Sequence, residues 1–144
     1  MRTHQPWRAF GTALLLFLSW AGAALCGAPA DRIVGTWRGT STCVDRVAAP
    51  ACNDEVVVYE IERSAGKPDS VTTKEDKLVD GKRVPMGVLE FKRGVTEDAW
   101  LTEFETPRVH GRWELLLSGD QMTGTLLLLP SKTVVRRMSL VRDK

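Results

Sequence analysis

Histidine is scarce in this chain: there are two, and His4 lies close to the N-terminus, leaving His110 as the one in the body of the sequence. A serine or cysteine nucleophile needs a positioned base, and His110 follows Thr106-Pro107-Arg108-Val109 with no partner evident in sequence. It reads as a surface-loop residue, and no catalytic residue is expected. Cysteine is nearly as sparse, with three in all. Two cysteines and one histidine fall short of a zinc site, and Asn53-Asp54-Glu55 lacks the ligand spacing of a calcium loop. There is no glycine-rich phosphate cradle, because Asp80-Gly81-Lys82-Arg83 has the form of a hairpin tip. Neither a metal nor a cofactor is expected.

An excess of one charge is also missing. The formal net charge is +2, and Arg2 and Arg8 alone account for it. Without them acidic and basic residues balance, so no long-range field steers nucleic acid or anionic lipid to the protein. Long apolar runs are absent too. Ala13 to Trp20 is apolar, but the run breaks after about ten residues, short of the roughly 20 that span a bilayer. Arg2 and Arg8 before it, and Ala21, Gly22, Ala23, Ala24, Gly27 and Ala28 after it, give the pattern of a removable signal peptide over residues 1–28. A periplasmic or extracellular product is expected, with no transmembrane segment in the mature chain. Lipid anchoring through Cys26 is the alternative, although Leu25 stands where a small residue is usual. Once Cys26 leaves, Cys43 and Cys52 remain as an even pair in an oxidising compartment, which predicts a disulfide.

Residues 29–144 suit one domain. No amphipathic helical period occurs there. Short apolar or alternating runs separated by Gly or Pro predict eight strands: Ile33–Thr42, Glu55–Glu62, Ser70–Leu78, Val84–Phe91, Asp98–Phe104, Gly111–Leu117, Gln121–Leu129 and Thr133–Arg142. The third is very polar through Lys74-Glu75-Asp76-Lys77, which suggests an exposed edge or a flap.

One hairpin fixes inside and outside. A two-residue Gly119-Asp120 turn pairs Leu117 with Met122, Leu115 with Gly124, Trp113 with Leu126 and Gly111 with Leu128, all on one face. A three-residue loop at Pro130, Ser131 and Lys132 then turns Val134, Arg136, Met138 and Leu140 to the same inner face. Eight antiparallel strands in sequence order leave two open edges unless the sheet closes. An all-β, up-and-down barrel is therefore expected, with a two-sheet sandwich as the alternative.

Gly35-Thr36-Trp37 resembles the Gly-x-Trp signature of the calycin group, which includes lipocalins, fatty-acid-binding proteins and avidins. The resemblance covers the two ends of the chain and the strand count. It implies that Trp37 near the start of the first strand is covered by an arginine near the end of the last, which matches Arg142, with Arg136 as the alternative. Fatty-acid-binding proteins hold a carboxylate with an inward Arg-x-Tyr; here Arg136-Arg137-Met138 keeps only the arginine. Small barrel inhibitors of bacterial metalloproteases are also similar in size, export and a lone disulfide.

Three classes of function stay open. In the first, a non-enzymatic carrier binds a small apolar or amphipathic ligand in the lumen, lined by Trp100, Phe104, Trp113 and Met138. There Arg136 orients an acidic head group, and its replacement by Met weakens binding with little loss of fold. The second is a protein-interaction module with a filled barrel, such as an inhibitor or assembly factor. Leu116, Leu127 and Leu129 would then form an outer patch for a homodimer or other protein partner. The third, an enzyme, needs His110 or an acidic pair in a pocket. Glu103 and Glu105 alternate with Trp100, Thr102 and Phe104 and so point to solvent.

Overall fold

The computed structural model describes residues 32–144; the segment read as a signal peptide, with Cys26, lies outside them. Eight strands follow in chain order: β1 (Gly35–Cys43), β2 (Glu55–Arg63), β3 (Ser70–Val79), β4 (Lys82–Arg93), β5 (Ala99–Glu105), β6 (His110–Ser118), β7 (Gln121–Leu128) and β8 (Thr133–Arg142). Each pairs antiparallel with the next, and β1 also pairs with β8, closing an up-and-down barrel. The sandwich alternative is not what forms. Among the described residues no helix is long and apolar enough to cross a membrane.

The β6–β7 hairpin has the register its sequence dictates. Leu117 pairs with Met122, Leu115 with Gly124, Trp113 with Leu126 and Gly111 with Leu128. Gly119 takes a φ of +59° in the turn, a conformation open to glycine at no steric cost. The chain reaches β8 by a different route from the one expected. Leu128 pairs with Thr133, so the connecting loop is one residue longer. A bulge then slips the register, so that Leu126 faces Arg136 while Leu127 faces Val134. The two changes cancel. Arg136, Met138 and Leu140 keep their inward parity, but Val135 is the buried residue and Val134 is only half-buried. The expected inward Val134 is thus overturned by a bulge, which adds one residue to one strand.

β3 is not an edge or a flap. It pairs with β2 from Val71 to Lys77 and with β4 along its whole length. The incomplete seam is the next one. β4 meets β5 only at Lys92↔Leu101 and Arg93↔Trp100, so Val84–Glu90 have no strand partner on that side among the described residues.

The start of β1 and the end of β8 lie at one end of the barrel, called the floor below. Trp37, Ile61, Val71, Phe91, Trp100, Leu117, Met122 and Leu140 are buried there in one continuous cluster. Eight-stranded barrels are narrow enough for side chains to fill them. Trp37 donates its indole N–H to the Ile33 carbonyl at 2.8 Å, and the Arg142 guanidinium lies 4.3 Å from the Trp37 ring centre. Arg142 also donates to the carbonyls of Val34, at 2.8 Å, and Arg32. Gly35 makes room for this lid: its φ is +137°, and a Cβ there would sit 2.7 Å from Arg142 Nη1.

Candidate functional site

The opposite end, the mouth, is built from residues of a different character. On β2 and β3 the inward side chains run Ile61, Tyr59, Val57, Glu55 and Val71, Thr73, Glu75, Lys77, judged from the cross-strand register and the buried positions. The lumen therefore turns from apolar to charged along its axis. Cys43 and Cys52 form the expected disulfide. It fixes a loop over the mouth whose Asp54 accepts from the Cys43 amide at 2.8 Å and from Arg46 at 3.1 Å.

Arg136 enters beneath that loop with only 12% of its side chain exposed. Its guanidinium donates to Ser41 Oγ (2.8 Å), Glu55 Oε2 (3.0 Å) and the Asn53 carbonyl (2.6 Å). The second Glu55 oxygen accepts from Lys77 Nζ at 3.3 Å. A buried cation is costly unless paired and hydrogen-bonded, and here the pairing is internal. Arg136 is therefore a tie between β8, the disulfide loop and β2. It does not stand free to receive an acidic head group, which would have to displace Glu55.

Glu75 is the opposite case. It is 8% exposed, and its Oε1 has no hydrogen-bond partner among the described residues. Burial disfavours the charged form and pushes its carboxyl up to about 7. Tyr59 is raised as well, by burial first and then by the neighbouring Glu75 charge. One step deeper on the same face, Thr73 Oγ1 also lacks a partner.

These groups surround a cavity of about 140 Å³ lined by Ser41, Glu55, Tyr59, Glu75, Met86, Trp113, Leu126 and Arg136. Leu126 and Arg136 also border an outer cleft of about 440 Å³. Its remaining walls are Ala48, Ala49, Pro50, Ala51, Cys52, Arg108, Val109, Leu128 and Val135. The mouth thus holds a small polar chamber with an apolar vestibule under the disulfide loop.

The residues singled out from sequence separate accordingly. Trp113 and Arg136 line the chamber. Trp100 is fully buried near the floor, Met138 packs in the core against Gly124, and Phe104 packs beside Gly111. These three fill the barrel and do not border either mouth cavity. The expected Leu116–Leu127–Leu129 patch is not continuous. Leu116 lies beside Thr123 and Leu127 beside Arg112, with the Glu114↔Thr125 pair between them. Arg112 and Glu114 are ion-paired there at 3.1 Å. Leu116 is 54% exposed, whereas Leu127 and Leu129 are half-buried. His110, Glu103 and Glu105 are exposed. No cluster of three or more His, Cys, Asp or Glu side chains able to hold a metal occurs among the described residues.

Sequence reasoning missed Glu55, Tyr59, Glu75 and Lys77. The signal was the apolar alternation Val57, Tyr59, Ile61: carried across the sheet, it turns Thr73, Glu75 and Lys77 inward. Fold and site together define a closed eight-stranded barrel with a packed floor and a charged, partly open mouth. Compared with known proteins, the chain matches no family model and no curated protein.

Proposed function

We propose that the chain is an exported, non-enzymatic binding barrel of calycin-like build that holds a small amphipathic molecule at its mouth. Export rests on the signal-like first 28 residues and on the Cys43–Cys52 disulfide, which persists in oxidising compartments. The calycin-like reading rests on Arg142 lying over Trp37 beside Gly35. The observation that carries the binding function is the pair of neighbouring cavities at the mouth, 140 and 440 Å³, which share Leu126 and Arg136 as walls. A drug-sized ligand needs about 300–1,000 Å³, so the chamber takes one end of a molecule and the vestibule the rest. Native mass spectrometry of protein purified from its own host tests this. A co-purifying small molecule supports it, and loss of that molecule on lengthening Ala49 to Trp would locate it in the vestibule. A bare polypeptide mass that no small-molecule library alters would refute it.

A second reading, a protein-interaction module, is favoured by the β4 edge. Val84–Glu90 lack a β5 partner, and Val88 on that stretch is 61% exposed. An unpaired edge accepts an extended segment of a partner as an added strand. Val88→Lys would abolish such an association, read by gel filtration with the captured partner. Unchanged association would exclude this edge.

A further inference from the structure

We infer that the mouth chamber is a subsite for the ammonium end of an amphipathic amine, with Glu75 as its counter-charge. This rests on the small-molecule reading above and adds the chemistry of the head group.

Charge bookkeeping inside the chamber leads to it. Arg136 lines the chamber and Lys77 is tied to its Glu55, which serves both cations, one carboxylate oxygen each, at 3.0 and 3.3 Å. The remaining Arg136 donors are taken by Ser41 Oγ and the Asn53 carbonyl. Among the described residues Glu75 is left as the chamber carboxyl without a counter-ion. Burial alone accounts for its raised pKa, with no cation opposing it. Its orphaned Oε1 is over nine-tenths buried, and Glu75 lines the chamber. An unmet buried acceptor is costly, so a donor entering the chamber gains more than it would at the surface.

The walls select among donors. Tyr59 and Trp113 present aromatic rings, which attract a cation and not an anion. An entering carboxylate would have to compete with Glu55 for Arg136 and would face Glu75. A plain alkyl end would leave Glu75 unmet. An ammonium pairs with Glu75, lies against the aromatics, and carries its alkyl body toward Leu126 and the vestibule. At about 140 Å³ the chamber admits a compact head, not a bulky one.

Binding of n-butylammonium, butyrate and 1-butanol to the full mature chain, followed at the Trp113 indole N–H resonance (assigned with Trp113→Phe), tests this. Saturable shifts are expected with n-butylammonium alone. Affinity should fall about tenfold in Glu75→Gln, where a charge-assisted bond becomes a neutral one. In the unaltered protein it should fall on acidification below pH 7, as the carboxyl gains its proton, and level off about tenfold down at the Glu75→Gln affinity. The pH series needs no variant, so a misfolded Glu75→Gln does not blunt the test. Equal shifts with butyrate or butanol would overturn the ammonium assignment and leave small-molecule binding standing. No shift with any of the three, together with a bare native mass, would overturn both.

Discussion

The carboxyl of Glu75 should make this barrel less stable at neutral pH than in mild acid, by an amount the structure sets. Its value is pushed from the usual 4.5 up to about 7 by burial. In the native state it therefore keeps a proton that the unfolded chain has already released. Between about pH 4.5 and 7 the folded form binds more protons, so stability falls as pH rises, and the whole loss is in place above pH 7. A gap of about 2.5 pH units corresponds to about 3 kcal/mol. The charged or titratable groups around it are Glu55 and Tyr59 from β2, Lys77 from β3 and Arg136 from β8. β4 and β6 contribute only Met86 and Trp113. Urea unfolding at pH 4 to 8, with the disulfide oxidised and tryptophan fluorescence as the readout, isolates the effect when Glu75→Gln is run in parallel. Groups common to both proteins cancel in the difference. The variant should gain about 3 kcal/mol relative to the parent between pH 4 and 8, a midpoint separation of about 1–3 M urea for a domain of this size. A difference flat to within about 0.5 kcal/mol would show Glu75 hydrated or paired, and the reasoning would fail.

Three further outcomes are expected. Trp37→Ala removes a fully buried indole together with its Arg142 stack and should cost about 3–5 kcal/mol by denaturant unfolding; a change below about 1 kcal/mol would mean the floor does not depend on it. Reducing Cys43–Cys52, or replacing both with Ser, opens a loop of sequence separation 9 and should cost roughly 2.5 kcal/mol on chain entropy, checked by the melting temperature with and without reductant. Arg136→Met, expected from sequence to leave the fold nearly intact, should instead destabilise by about 1–3 kcal/mol, because the half-buried Glu55 loses its shorter ion pair and keeps Lys77 as its one ion-pair partner. Unfolding of Arg136→Met beside Arg136→Met/Glu55→Leu tests this, since the double variant should recover part of the loss.

The chain itself announces its barrel wherever one sheet face is apolar. In β6 and β7 the alternation Trp113, Leu115, Leu117 against Met122, Leu126, Leu128 admits a single register, because a one-residue slip would bury Glu114. In β3 both faces are polar: Thr72, Lys74 and Asp76 on one side, Thr73, Glu75 and Lys77 on the other. Hydrophobic parity then carries no information, and the run of charges looks like a solvated edge when half of it faces the lumen. The bulge at Val135 was hidden for a related reason. Val134 and Val135 are identical side chains, so nothing in their order says which one turns inward. Arg136 was legible as an inward charge, but not its partners, since Glu55 and Asn53 are brought to it only by barrel closure and the disulfide loop.

The seam between β4 and β5 is stitched at two positions, both near the floor. A cylinder fastened that way is a cuff. Above Lys92 the β3–β4 hairpin is held to the rest of the barrel by the β2–β3 ladder alone. That hairpin carries both Glu75 and Met86, so two walls of the chamber hang from one ladder. Whatever loosens that single ladder would widen the chamber and carry its acidic wall away in the same step.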